Sequence, residues 1–339
     1  MISRQSDIGE DVRKYCAEIG TDRLLVQGAG GNASWKQGKT LWIKASGKWL
    51  ANAKKEEIFI PVDLASLKSE IAKQNFSNSP HVIGNSQLRP SIETILHALM
   101  PHPVVLHLHA VEVLAHLVKP DCNDLLEKLL SKFVSFAVVD YFKPGANLAS
   151  EIHGILANNK VNVIFLKNHG VVIGGENISD VNMLLSKITY SLATESKLGI
   201  TQAPIISKVP KNYLDKYTPI SDRSVQQLAL NPILYNRLSS DWALYPDHVV
   251  FLGPRAHTFQ SWEELEIIPT ESHPELIFLG GMGVYAKPSF TKAKLVQLRC
   301  YFDVLVRQKE DTQLVVLNTS QIGELINWDA EQYRMFLES

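Results

Sequence analysis

The run Val104-Val105-Leu106-His107-Leu108-His109 constrains the fold of this chain more than any other segment. Successive side chains of a strand point to opposite faces, so His107 and His109 project side by side while Val104, Leu106 and Leu108 face a core. The apolar stretch continues to Val118 but contains three histidines and a glutamate. It is therefore a strand and its sequel, not a bilayer span of about 20 apolar residues. Apolar periodicity predicts helices over 6–20, 90–99, 125–133, 149–158 and 179–198, the first built on Ile8, Val12, Tyr15, Cys16 and Ile19. Strands are predicted over 24–26, 41–45, 58–62, 134–139, 161–166 and 171–173. Residues 28–32, Gly-Ala-Gly-Gly-Asn, break the first of these as a tight loop, and polar residues 68–88 read as a flexible loop. Strands and helices mixed in this way, with several hairpin-like steps, predict an α/β fold with a largely antiparallel sheet.

At about 150 residues per domain, 339 residues suggest two domains. Residues 200–222, with three prolines, read as a linker. The expected division is 1–205 and 206–339. The second part echoes the first: Ile-Phe-Leu-Lys-Asn-His-Gly-Val at 164–171 and Ile-Phe-Leu-Gly-Gly-Met-Gly-Val at 277–284 share five of eight positions. Both precede a predicted long helix, 179–198 and 289–307. Met282 stands where His169 stands, so any half-repeat is expected to be metal-free. Basic and acidic residues balance at 34 and 35, without the basic excess of a nucleic-acid binder. Cys16, Cys122 and Cys300 form no CxxC pair and suggest reduced thiols in the cytoplasm, and the first residues lack the apolar core of a signal peptide.

Two histidines two apart on a strand suit a single metal ion at about 2.0–2.1 Å. A catalytic site of that type needs a third protein ligand, and His169, at the sharp Asn168-His169-Gly170 turn, is the candidate. The bland alternative is a pair of half-exposed strand histidines. Upstream, Arg89-Pro90-Ser91-Ile92-Glu93 opens a predicted helix with Ser91 at the N-cap, Glu93 in the first turn and His97 one turn on. A carboxylate near a metal can move protons to and from a substrate; alternatively Glu93 only caps the helix. Backbone N–H groups of the Gly28–Ser34 loop, Ser46-Gly47 and Ser91 form anion-friendly loops, with Lys36, Lys44, Lys48 and Arg89 near them in sequence. The glycine loop matches neither a P-loop nor a GxGxxG fingerprint, which argues against nucleotide binding.

Five motifs thus stand in order. They are Gly31-Asn32-x-Ser34, Ser46-Gly47, Pro90-Ser91-x-Glu93-x-x-x-His97, His107-x-His109 and Asn168-His169-Gly170. Together they resemble the class II aldolase/adducin superfamily, which includes fuculose-phosphate and rhamnulose-phosphate aldolases. Stretches 42–50, 89–109 and 328–337 are similar to the aldolase part of bifunctional aldolase/short-chain dehydrogenase proteins. The resemblance implies α/β/α layers around a mainly antiparallel sheet, a cytoplasmic homo-oligomer, and a divalent metal, zinc first and Mn2+ or Co2+ next, on His107, His109 and His169. It implies Glu93 as the general acid/base, and Gly31, Asn32, Ser46, Gly47 and Ser91 as the holders of a substrate's phosphate end. The implied reaction is cleavage of a C–C bond in a small ketose or ketose phosphate through a metal-stabilised enediolate. The same scaffold supports a sugar-phosphate dehydratase or epimerase; a non-catalytic adducin-like interaction module would lack the histidine triad. Family members that bind phosphate commonly carry Ser-Ser-Glu, and Ile92 here removes one hydroxyl. Tyr141 in Tyr-x-x-Pro-Gly loosely matches a family tyrosine. Neither nucleic acid nor a membrane is an expected partner.

Overall fold

The computed structural model describes residues 7–196, 206–326 and 328–337. These group into two compact units, Met1–Ala193 with Gln332–Leu337, and Thr194–Glu331 with Glu338–Ser339. The expected division at 205/206 falls at the edge of residues 197–205, which lie outside the described residues. The helix expected over 179–198 is shorter, ending at Ser191 with Leu192 as its C-cap.

In the first unit, α1 (Ile8–Ile19) is capped by the Asp7 carboxylate, which accepts from Gly9 N–H at 3.0 Å. There follow β1 (Asn32–Gln37), β2 (Thr40–Lys44), β3 (Phe59–Asp63), α2 (Leu64–Ala72), α3 (Thr94–Leu99) and β4 (Val104–Leu108). Then come α4 (Val111–Leu117), α5 (Cys122–Leu130), β5 (Phe136–Val139), α6 (Ala146–Asn158), β6 (Val163–Leu166), β7 (Gly170–Gly175) and α7 (Ile178–Ser191). The seven strands form one sheet in the order β3-β2-β1-β4-β7-β6-β5. All neighbours are antiparallel except β5 and β6, which are parallel.

Both faces of this sheet are covered, which is why β4, β6 and β7 are buried along their whole length. Ala33, Trp35, Val104, Leu106, Leu108, Val163 and Phe165 pack with α1, α4, α5 and α7. Val105, Ile164, Leu166 and Val172 pack on the opposite face with Leu96 of α3 and Leu148 and Ile152 of α6. The result is the expected three-layer arrangement. Trp35 stacks on Trp42 with ring centroids 5.5 Å apart, and the edge of Phe59 meets it at 5.0 Å.

Three expectations need correction. Residues 24–26 are a turn, not a strand, because Asp22 draws the chain round: its carboxylate accepts from Leu24 N–H at 2.8 Å and its carbonyl from Leu25 and Val26. The strand of this region is β1, directly after the glycine loop. The polar stretch 68–88 is helical to residue 72, as α2. Finally, the presumed linker is partly structured, since β8 (Thr218–Pro219) pairs with a later strand.

The second unit continues with α8 (Arg223–Leu230), α9 (Pro232–Ser240), α10 (Pro246–Leu252), β9 (Thr258–Phe259), α11 (Trp262–Glu266), β10 (Leu276–Leu279), β11 (Gly283–Ala286), α12 (Lys292–Leu305) and α13 (Thr319–Ile326). The last helix, α14 (Asp329–Leu337), belongs to the first unit from Gln332 on. The sheet order of the second unit is β8-β11-β10-β9. β9 and β10 are parallel and the other neighbours antiparallel. That is the order and sense of β4-β7-β6-β5 in the first unit. The two hairpin turns also match in backbone, with φ 53° at Asn168 and 70° at Gly281. An aromatic core of Tyr213, Tyr217, Trp262 and Tyr285 fills one side of this sheet with Leu265, Ile277 and Leu279. Among the described residues no helix is long and apolar enough to cross a membrane.

Candidate metal centre

β4 lies in the middle of the first sheet, between β1 and β7, so every residue on it is buried. His107 pairs across the ladders with Asn32 and with Val172, and its Nδ1–H donates to Val171 O at 3.1 Å. That bond leaves the Nε2 lone pair as the ligand atom and fixes the ring's direction. His109 follows the last residue of β4, on the same side as His107. His169 comes from the β6–β7 turn, where Asn168 takes φ 53°. Gly170 lets that turn close onto β4: a Cβ there would stand 2.4 Å from Leu108 O.

The three rings meet with centroids 4.8 to 5.3 Å apart. Their ligand nitrogens lie within 4.8 Å of one another, and all three residues are buried. Two nitrogens held tetrahedrally on one ion at about 2.0–2.1 Å stand about 3.3 Å apart. His107 Nε2 and His109 Nε2 are 3.2 Å apart. The donor set and spacing therefore fit a divalent ion, and it is the one such cluster among the described residues.

Glu93 closes the fourth side. Its Oε2 is 3.4 Å from His107 Nε2 and its Oε1 is 3.5 Å from His169 Nε2. Oε1 is buried yet accepts no hydrogen bond. Burial pushes this carboxyl up, but His107, His169, the Asn32 hydrogen bond and His109 outweigh it and bring it down to about 2. The helix starts later than expected, at Thr94, so Ser91 is not its N-cap. Ser91 instead forms the turn before it, its hydroxyl accepting from Glu93 N–H at 3.2 Å and its carbonyl from Thr94 N–H at 3.1 Å. Glu93 stands at the N-cap position but makes no capping hydrogen bond with its side chain. Its carboxylate is turned toward the histidines instead.

The remaining expected residues surround this group. Asn32 Nδ2 donates to Glu93 Oε2 at 2.8 Å and to Ser91 Oγ at 3.3 Å. Gly31, at φ 65°, runs so close to β4 that a Cβ would lie 2.8 Å from His107 O. Segments 44–46 and 89–91 are zipped together: Ser46 N–H donates to Arg89 O at 2.9 Å and Ser91 N–H to Lys44 O at 3.2 Å. Gly47, with φ 72°, extends that loop, and Leu337 packs against it. The basic residues near these loops are held elsewhere. Lys44 Nζ donates to Ala29 O and Lys48 O, pinning the glycine loop. Lys36 Nζ bonds the Met100 and His102 carbonyls, and Lys48 pairs with Glu56. The Arg89 guanidinium lies over the Tyr333 ring, 4.1 Å from its centroid.

Ser34 and His97 stand in the sequence motifs without a role of their own, and the structure brings them together. Ser34 Oγ is 2.7 Å from His97 Nδ1, and His97 Nε2 meets Asn32 Oδ1. The signal was present: Asn32 and Ser34 alternate on β1 as His107 and His109 do along β4, and His97 lies one turn beyond Glu93.

In the second unit the equivalent place is built differently. Val171, whose carbonyl accepts from His107, aligns with Val284, whose carbonyl accepts from Gln226 Nε2 at 3.0 Å. Gln226 Oε1 also accepts from Val284 N–H at 2.7 Å.

Residues 10–195 match the family described as the Class II Aldolase and Adducin N-terminal domain. The chain is 28% identical over 175 residues to an uncharacterized oxidoreductase, YuxG, of Bacillus subtilis, a match covering 47% of this chain and 25% of that protein. The chain thus spans a quarter of that relative's length. It is 29% identical over 161 residues to an L-fuculose phosphate aldolase of Methanococcus maripaludis, covering 47% of this chain and 80% of that one. Among solved structures, the N-terminal class II aldolase domain of a conserved protein from Thermoplasma acidophilum aligns with a TM-score of 0.47 at 24% identity, covering 56% of this chain and 92% of that one.

Proposed function

Since the chain belongs to the class II aldolase and adducin N-terminal domain family, we propose that it is a divalent-metal-dependent lyase that cleaves a C–C bond of a small ketose phosphate. The observation that carries this reading is the Glu93 carboxylate set 3.4–3.5 Å from two nitrogens of a complete three-histidine cluster. A non-catalytic module has no use for that arrangement. Three neutral imidazoles leave a bound divalent ion its full positive charge, which would stabilise the negative charge that develops on substrate oxygens when a bond beside a carbonyl breaks.

His107, His109 and His169 would hold the ion, with zinc the best match to an all-nitrogen donor set. Glu93 Oε1, bound by no hydrogen-bond donor, is the atom that takes up and returns the proton. A carboxylate is ionised at neutral pH and so can accept a proton. Gly31, Ser46, Gly47 and Ser91 are assigned the phosphate end, with Asn32 between them and Glu93. The phosphorylated sugar is favoured by the fuculose-phosphate aldolases among the relatives.

The test is metal analysis joined to aldehyde release from a panel of ketoses and their 1-phosphates, L-fuculose 1-phosphate included. One divalent ion per chain and metal-dependent aldehyde release are expected, with kcat/KM higher for the phosphates. Metal-loaded protein that releases no aldehyde from any of them overturns the lyase reading. A ratio near one between ketose and ketose phosphate removes the phosphate role of the four loop residues.

A further inference from the structure

The Glu93 carboxylate is tied to a line of buried side chains that runs away from the metal centre. Ser34 Oγ lies 2.7 Å from His97 Nδ1, His97 Nε2 contacts Asn32 Oδ1, and Asn32 Nδ2 lies 2.8 Å from Glu93 Oε2. All four residues are buried. Elementary hydrogen-bond chemistry orients the whole line. An ionised carboxylate only accepts, so the amide must present Nδ2 to Glu93. The amide oxygen then faces His97, and an amide oxygen only accepts, so His97 must carry its proton on Nε2. Its Nδ1 is left as an acceptor, and the Ser34 hydroxyl donates to it. Burial pushes His97 down to about 3, so the ring stays neutral with a single N–H to place.

We propose that Ser34, His97 and Asn32 form a one-directional hydrogen-bond relay that orients the Glu93 carboxylate, and that His97 is thereby a positioning residue for proton transfer. The inference rests on the reading of Glu93 as the proton-moving group. Two elements contribute the relay: β1 presents Asn32 and Ser34 on one face, and α3 presents His97 from its interior. Without it, the Asn32 amide could flip and the Glu93 carboxylate would lose the donor that holds Oε2 and leaves Oε1 toward His169. The His97 side chain makes its hydrogen bonds to Ser34 and Asn32, and none to the three histidines or to Gly31, Ser46, Gly47 or Ser91. Its loss should therefore act on kcat and leave KM and metal content in place.

Two isosteric variants separate positioning from mere packing. In His97→Gln the side-chain amide reaches the place of Nε2 and can donate to Asn32 Oδ1. In His97→Asn the amide reaches only the place of Nδ1, keeping the Ser34 contact and losing the donor to Asn32. His97→Asn should lower kcat about tenfold, the factor to which about 1.4 kcal/mol corresponds. KM and bound metal should stay within about twofold, and His97→Gln should restore most of the loss. Equal losses in both variants overturn the relay and leave His97 a packing residue. Full turnover in His97→Asn, with turnover lost in Glu93→Gln, overturns the relay alone. Full turnover in Glu93→Gln overturns the acid/base reading beneath it. A readout independent of any substrate is the imidazole 15N spectrum of the metal-loaded chain, with the His97 signal assigned by its absence in His97→Gln. The expected pattern is protonated Nε2 and unprotonated Nδ1. The opposite tautomer overturns the direction of the relay, and with it the proposal.

Discussion

Glu93→Gln changes one oxygen to an NH2 group in a side chain that is 7% exposed. Volume and shape are conserved, so packing is unaffected. The Asn32 Nδ2 donor requires an acceptor on its side of Glu93, which places the new amide oxygen there and the NH2 group at the position of Oε1. That is the oxygen that accepts no hydrogen bond and faces His169 Nε2 at 3.5 Å. The substitution thus replaces a carboxylate oxygen that accepts no hydrogen bond with a donor that cannot take up a proton. Acid/base groups contribute about 100-fold to 10,000-fold in rate, so kcat should fall at least about 100-fold, or about 2.7 kcal/mol of barrier. The cap of α3 is not at stake, because the Glu93 side chain makes no capping bond. Steady-state aldehyde release with metal content measured on the same sample reads the effect. A variant with full metal and kcat within about twofold of the parent would falsify the assignment.

His109→Ala should remove one of three ligands, abolishing stoichiometric metal and the metal-dependent rise in melting temperature; equilibrium dialysis that still finds one ion per chain refutes the site. Gly31→Ala forces a side chain into φ 65° with its Cβ 2.8 Å from His107 O. The strain should cost about 1–3 kcal/mol and lower the melting temperature of the metal-free chain by several degrees, and an unchanged melting temperature contradicts the close approach of β1 to β4. In the second unit His248 is buried among Trp242 and Tyr301 and pushed down by that burial from 6.5 to about 3. The unfolded chain therefore binds a proton below about pH 6.5 that the folded chain does not take until about pH 3. This histidine's contribution to stability is lost as pH falls through that window, by up to about 1.4 kcal/mol per pH unit. His248→Phe should flatten the pH dependence of chemical unfolding by that one proton, and a slope equal to the parent's refutes it.

The centre was legible in the sequence where local periodicity decides which way side chains point. The two-residue period of a strand puts His107 and His109 on one face wherever that strand lies, and Asn168-His169-Gly170 announces a turn by its composition alone. The matching turns at 168–170 and 281–283 were readable for the same reason. The two-residue period also put Val104, Leu106 and Leu108 on a core face, but that β4 is an inner strand with helices over both faces came from the structure. What periodicity cannot supply is distance between segments remote in the chain. That His169 reaches His107 depends on β7 lying beside β4, and on Gly170 allowing a backbone approach that a Cβ would block. That Glu93 faces the histidines instead of capping α3 depends on Ser91 making the preceding turn and on Asn32 arriving from β1. The lysines near the glycine loop were misleading for the same reason: charge is visible in a sequence, but the carbonyls that hold Lys36 and Lys44 come from folded neighbours. Sequence thus determined the type and facing of each chemical group. Only the tertiary structure decided which groups share a site, because contact between distant segments follows from sheet order and close packing, which no local pattern encodes.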